Sequence, residues 1–379
     1  MSTHTSIEWT DRTWNPVTGC SEISPGCAHC YAAKQTATRL SKHPAYKGLA
    51  IIDPETKSPR FTGEIRAHAD RLQEPLHWRK SSRVFVNSMS DLFHEGVPEE
   101  FIDRVFAVMA FAWQHTFQVL TKRPERMREY LKYFNRDSCI AIGIRRVPGL
   151  SPTFQKGAEE IIDDRFAFKE DVGNILANVW LGVTTENQRF ADERIPALLS
   201  TPAAVRFISA EPLLSPLDLR YLNVKKMVEV DALNGTHGVY RPHGGNNASL
   251  DWVICGGESG PEARPMHPEW ARSLRDQCAA AGVPFFFKQW GAWLPIERHG
   301  YRPRKRAGQL HPLRIRRLTE IGEVDELVYH AYPKNSNDDN GIYWEMVNTT
   351  KKHRSLDGRE HNEFPKAATA KAMMEQPAA

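Results

Sequence analysis

The sequence predicts an α/β protein built on a parallel (β/α) barrel, partial or complete, carrying two insertions. Three observations predict it. Short apolar runs recur along the chain, each ends in a polar cluster, and amphipathic helical patterns lie between them. Runs this short and this continuously apolar suit strands buried on both faces of a parallel sheet. Strand, polar cluster, helix is the βα unit, and at least six are visible. An open doubly wound sheet shares that rhythm. The barrel is favoured because every polar cluster sits at the same end of its strand, where barrel strands converge on one site.

The elements follow in order. Val84-Phe85-Val86-Asn87 leads into Ser88-Met89-Ser90-Asp91, and Phe117-Gln118-Val119-Leu120 into Thr121-Lys122-Arg123. Val179 to Val183 precedes Thr184-Thr185-Glu186-Asn187, and Val205 to Ile208 precedes Ser209-Ala210-Glu211-Pro212. Trp252 to Cys255 precedes Gly256-Gly257-Glu258-Ser259, and Pro284 to Phe287 precedes Lys288-Gln289-Trp290. Helices are expected over Pro98 to Trp113, Pro124 to Phe134, Asn187 to Leu199 and His267 to Ala281. Three of them have Pro or an acidic residue in the opening turn, where both are favoured. Weak periodicity at 135–174 and 220–250 reads as insertions on the barrel. The expected layout is a barrel over 1–297, a basic C-terminal extension over 298–365 and a flexible tail over 366–379.

Composition narrows the class. The chain has 379 residues, 41% of them hydrophobic and 25% charged. That excludes wholesale disorder and allows a substantial core. No apolar stretch reaches the length of a membrane span, and the opening MSTHTSIEWTDRTW does not read as a secretory signal. A cytoplasmic protein is expected, without a membrane partner. The net charge is only +4, but it conceals a local field. Arg298 to Arg317 carries eight Lys or Arg and no acid. Within it Arg302, Arg304, Lys305 and Arg306 are candidates for nucleic-acid phosphates, with Trp290, Trp293 and Tyr301 as nearby stacking rings. A solvated loop beside buried rings is the plainer reading of the same residues.

Six cysteines are too few for a disulfide scaffold. Three of them cluster as Cys20, Cys27 and Cys30, with C-x6-C-x2-C spacing on a loop rich in Gly, Pro and Ser. Three readings fit. They can be core thiols, although the loop is not apolar. They can hold structural zinc, with His29 as the fourth ligand. They can hold three irons of a [4Fe-4S] cluster and leave the fourth open for chemistry. Their position ahead of the βα units, at the mouth of a barrel, favours the cluster. Cys139, Cys255 and Cys278 read as packing thiols.

A three-cysteine loop heading a βα barrel resembles the radical S-adenosylmethionine (SAM) superfamily, in its spore photoproduct lyase-like branch. More closely, the chain resembles a phage- and prophage-associated three-cysteine family of uncharacterised function. The matching stretches include Ile7-Glu8-Trp9-Thr10-Asp11, Thr13-Trp14-Asn15-Pro16, the cysteine loop through Cys30-Tyr31-Ala32, and Asn87 to Phe93. They continue with Leu120 to Pro124, Trp180 to Thr184, Ser209 to Leu214, Gly256 to Gly260, Phe287 to Gly291 and Leu356 to Glu360. Most of the superfamily spaces its cysteines C-x3-C-x2-C, with an aromatic residue before the last, where this chain has His29. Gly63-Glu64 stands nearest in order to the superfamily's early Gly-Gly-Glu motif.

The resemblance implies a [4Fe-4S] cluster on Cys20, Cys27 and Cys30, with SAM as co-substrate and a reducing electron donor as partner. The strand ends would then bind SAM and substrate. Ser88, Ser90, Lys122, Thr184, Thr185, Glu186, Gly256 and Gly257 are candidates for SAM. Asp91, Lys122, Glu211 and Glu258 are candidates for catalysis. Many such residues are ordinary helix caps, and Lys122 with Glu211 can equally form a structural ion pair. Phage association points to DNA as substrate, and to a hypermodified thymine in particular. The specific expectation is isomerisation of a glycyl adduct from nitrogen linkage to α-carbon linkage. A DNA-lesion repair lyase and a non-catalytic, zinc-stabilised nucleic-acid-binding protein are the alternatives.

Overall fold

Seven strands form one parallel sheet in strict chain order: β1 (Arg12–Trp14), β2 (Arg83–Val86), β3 (Thr116–Thr121), β4 (Val179–Thr184), β5 (Val205–Ala210), β6 (Trp252–Gly256) and β7 (Phe285–Gln289). The computed structural model describes residues 5–133, 143–150, 176–224, 228–237, 248–260, 262–296, 315–318, 324–325, 342–346 and 353–365. Every neighbouring pair is parallel. Sequential order with parallel pairing is what repeated βα crossovers generate. The helices are α1 (Tyr31–Ala37), α2 (Glu99–Phe111), α3 (Pro124–Tyr133), α4 (Gln188–Leu199) and α5 (Pro268–Ala281).

The six strands and four helices expected from the sequence lie within one or two residues of their observed limits. Among the elements not expected are one strand of the main sheet and one helix. β1 has only three residues, too short to show a period. α1 follows directly from Cys30. Local chemistry explains the helix ends. Asn187 accepts the Phe190 amide at the start of α4, and His267 accepts the Glu269 amide at the start of α5. Gly282 closes α5 at φ +70, a conformation that suits glycine.

The sheet curls. In a flat sheet β2 and β6 would stand about 19 Å apart. Yet the Trp9 ring lies 4.6 Å from Phe85 of β2 and 6.3 Å from Trp252 of β6, centroid to centroid. Phe85, Trp180, Phe207, Trp252, Ile254 and Phe286 form one buried cluster with Trp9 on the inner face. Their alternates Val84, Val86, Leu181, Ile208, Val253 and Phe287 join a second cluster with the helices on the outer face. Both faces are therefore buried, which is why the strands read as continuous apolar runs. Glycine makes room inside. A Cβ at Gly182 would stand 2.5 Å from the Phe207 ring.

Strands β1 and β7 are the two edges, so the barrel is partial. Residues 353–365 lie along β7. Phe287 N–H donates to His361 O, and Trp252 Nε1 donates to Glu363 O. Phe364 packs edge to face against Phe286 of β7 and lies under Arg83 of β2. Asp357 anchors the segment through Arg272 and Arg275 of α5.

Of the expected insertions, 135–174 is described only at 143–150. The second contains a three-stranded antiparallel sheet of Leu222–Val224, Val228–Asp231 and Thr236–His237. Beyond β7, Trp293–Ile296, Ile342–Met346, Ile315–Leu318 and Val324–Asp325 form a four-stranded antiparallel sheet, in that order. Arg302, Arg304, Lys305 and Arg306 lie outside the described residues, as do Cys139 and the tail over 366–379. Among the described residues no helix is long and apolar enough to cross a membrane.

Replacing Gly182 by Ala forces a methyl into the Phe207 ring and should cost about 1–3 kcal/mol of stability. A lowered urea midpoint with an unchanged slope is the expected outcome.

Candidate functional site

The C-terminal ends of the strands carry the polar clusters, and the cysteine loop lies across them. The loop is shaped locally first. Gly19 adopts φ +92, and a Cβ there would stand 2.0 Å from Glu64 O. The Gly63 amide donates to Cys20 O. The Gly63-Glu64 turn thus braces the first cysteine. Pro25–Cys27 forms a single tight turn, with Cys27 N–H donating to Ser24 O. Cys30 N–H donates to Cys27 O, and α1 begins at the next residue.

Three groups of strand-end side chains then hold the loop. After β3, Arg123 pairs with Asp91 (3.1 Å) and Glu95 (3.0 Å) and donates to Ser21 Oγ (2.7 Å). Its Nη1 lies 4.0 Å from Cys20 Sγ. His94 shares a hydrogen bond with the same Ser21 hydroxyl. After β4, Glu186 accepts from Ser24 Oγ at 2.6 Å and pairs with Lys122 and with Arg194. A Cβ at Gly26 would stand 2.5 Å from Glu186 Cγ, so glycine lets the loop rest on that carboxylate. After β6, Glu258 pairs with His29 (3.0 Å) and Arg264 (2.6 Å), and Arg264 also donates to Pro25 O (2.9 Å).

Charge balance makes these groups firm. Glu186 is fully buried and Arg194 nearly so. Burial opposes the Glu186 charge, but Lys122 and Arg194 outweigh it and hold the carboxyl below its usual range. Glu258 is held low in the same way, by Arg264 and His29 against burial. Burial pushes the Cys20 thiol up to about 12, with Asp91 adding and Arg123 opposing. Burial also raises Cys30, against the amides of Ala33 and Ala32.

The candidates named from sequence therefore take distinct places. Asp91 accepts from Thr121 Oγ1, the Lys122 amide and Arg123, deep in the wall. Ser88 and Ser90 tie β2 to the N-terminal segment, through Asn15 Oδ1 and Val17 O. Thr184 gives its carbonyl to Arg194, and the Thr185 amide donates to Ser209 O. Gly257 has Trp290 O where a Cβ would be. Lys122 pairs with Glu186, whereas Glu211 pairs with Lys288 at 2.7 and 2.9 Å, so the two do not pair with each other. Sequence reading missed Arg123, Arg194, Arg264, Ser24 and Lys288 as site residues. For Ser24, Arg123, Lys288 and Arg264 the signal lies in partners 77 to 239 residues away, which one sequence does not show.

All three loop cysteines are free thiols, and each lies within the electrostatic reach of another. Cys255 and Cys278 are free and fully buried in the core. As the side chains stand, no three His, Cys, Asp or Glu among the described residues are grouped to hold a metal ion. The donor set nonetheless fits a thiolate-ligated metal centre in kind. Three thiols share one loop, and the Arg123 cation stands beside Cys20. The Lys122 charge acts on Cys30 and Arg194 on Cys27.

Replacing Glu186 by Gln strands Arg194 and should cost about 3–5 kcal/mol at neutral pH. A carboxyl held low in the folded state stabilises above the unfolded carboxylate range and loses that contribution as pH falls through its folded value. The gap between wild type and Glu186→Gln should therefore close on acidification, measured as urea midpoints at neutral and acidic pH.

Compared with curated proteins and with solved structures, the chain matches none. The family model described as "Protein of unknown function (DUF5131)" matches residues 4–365. This chain belongs to that family.

Proposed function

We propose that this chain is a radical SAM enzyme acting on nucleic acid. One observation carries the reading: a loop with three free thiols is strapped to the ends of β3, β4 and β6, over the mouth of a curled parallel sheet. A strand-end mouth is where barrel enzymes keep their chemistry. Cys20, Cys27 and Cys30 would hold a [4Fe-4S] cluster. Such a cluster with SAM bound supplies a 5′-deoxyadenosyl radical on one-electron reduction.

The chain's own residues do the rest. Arg123 beside Cys20 and Lys122 near Cys30 oppose the burial that pushes these two thiols up. Glu186 and Glu258 fix the loop's height over the mouth. The ring cluster of Trp9, Trp180, Phe207 and Trp252 fills the barrel below. The Arg298 to Arg317 run supplies the cations for phosphate contact. Within this reading the substrate is DNA and the target a hypermodified thymine, flipped from the duplex. The reaction is isomerisation of its glycyl adduct from nitrogen to α-carbon linkage, in the reducing cytoplasm of a phage host. Lesion repair by a lyase is the neighbouring chemistry.

A second reading has its own observation. His29 directs Nδ1 at Glu258, and a carboxylate behind an imidazole is the usual support of a zinc ligand. In that reading the protein is a zinc-stabilised nucleic-acid binder.

Anaerobic reconstitution with iron and sulfide separates the two. About four irons per chain are expected, with release of 5′-deoxyadenosine from SAM and dithionite, abolished by Cys27→Ala. Zinc in metal analysis, with no iron taken up, overturns the radical reading. On the nucleic-acid side, replacing Arg304, Lys305 and Arg306 by Ala should weaken DNA binding. It should also flatten the salt dependence, by roughly one unit of slope for each phosphate that is no longer neutralised.

A further inference from the structure

Five strand-end acids and bases stand out in the sequence around the mouth: Asp91, Lys122, Glu186, Glu211 and Glu258. Four of them are committed to holding the cysteine loop. Asp91 acts through Arg123 on Ser21, Lys122 through Glu186 on Ser24, and Glu258 directly on His29. The fifth is different. Among the described residues no hydrogen bond joins Glu211 or Lys288 to the loop, and they pair with each other.

Their position is defined by the sheet. The loop is tied to β4 and to β6, and β5 lies between them. Glu211 follows the end of β5, so the pair sits beneath the loop's span. Lys288 is the extra residue of a bulge in β7, where Cys255 and Gly256 face Phe287 and Gln289, and its ammonium reaches Glu211. The pair crosses over β6 at Gly256, where a Cβ would stand 3.3 Å from the Glu211 carboxyl carbon. Any larger residue there would crowd the pair from below. One layer deeper are Phe207, Ile254 and Phe286, each fully or almost fully buried. The result is one acceptor and one donor side by side above a closed apolar core, each partly open to solvent.

That arrangement suits a flat ring with an N–H beside a C=O on one edge. Glu211 accepts from the N–H and Lys288 donates to the C=O. A ligand with a single charge would have to part the ion pair and leave one member unmatched. A donor–acceptor edge satisfies both members at once.

We propose that Glu211 and Lys288 form a recognition site for the imide edge of a nucleobase at the barrel mouth, with Lys288 as a specificity residue. This rests on the nucleic-acid reading above and names which part of the base is read. The adenine of SAM also has a donor–acceptor edge, and the experiment separates the two.

The probes are single-stranded oligothymidylate, its counterpart with N3-methylthymine, and SAM. Methylation removes the N–H and leaves the phosphates unchanged. The reconstituted full chain should bind oligothymidylate roughly 10-fold more tightly than the methylated strand, the discrimination of a good paired base contact. The double variant Glu211→Leu with Lys288→Met keeps volume and strands neither charge. It should lose that preference, bind the methylated strand as wild type does, and retain its SAM affinity. Lys288→Met alone should lose a large part of the preference, which keeps the test open if the double variant folds poorly. A double variant that keeps the preference overturns the proposal. So does one that loses SAM affinity with the preference intact, which assigns the pair to adenine. A wild type that binds neither strand overturns the nucleic-acid reading together with this site.

Discussion

The candidate site depends on a buried carboxylate that cannot be left alone. Glu186 has no contact with water, and a charge in that position is expensive unless it is matched. Arg194 of α4 matches it from the wall, Lys122 of β3's end from the side, and Ser24 of the cysteine loop from above. One side chain thereby ties a helix, two strand ends and the loop into a single unit. The absence of a side chain at Gly26 is part of the same constraint, since the loop rests on the carboxylate itself. Glu258 repeats the device on the far side with His29 and Arg264. A loop fastened at both sides of the mouth holds its three thiols in a fixed relation to the strand ends. That preorganisation is what a reactive centre needs from its scaffold.

Much of the fold was legible because parallel strands are buried twice. Trp180 and Phe207 fill the barrel while Leu181 and Ile208 meet the helices, so apolar residues run without a polar alternate. The helices announced themselves by Pro98, Pro124, Asn187 and His267 at their starts. β1 escaped notice because three residues carry no period, and its burial becomes visible only when Trp14 is seen under the outer helices. The contact that spans the curl was equally hidden. Phe364 bridges β2 and the edge strand β7, from a position 281 residues after Arg83 in the chain.

The site was legible in kind and not in role. Cysteine spacing singled out the loop, and strand-end charges singled out Asp91, Lys122, Glu186, Glu211 and Glu258. Sequence order could not say which of these face a ligand and which hold the loop. The division comes from partners far apart in the chain: Ser24 with Glu186, His29 with Glu258, Arg264 with Pro25. Gly256 and Gly257 were read as places for a ligand to approach. Gly257 instead admits the Trp290 backbone, while Gly256 leaves the space that the Glu211–Lys288 pair spans.

The aromatic filling lies below the mouth and the tethered loop, with its three thiols, above it. The central claim is that those thiols carry an iron–sulfur cluster with a position open to SAM. Electron paramagnetic resonance of the reconstituted, reduced protein tests it most directly. The account predicts a reduced-cluster signal whose shape changes when SAM is added. A protein that retains zinc and gives no iron signal, or a cluster signal indifferent to SAM, would contradict it.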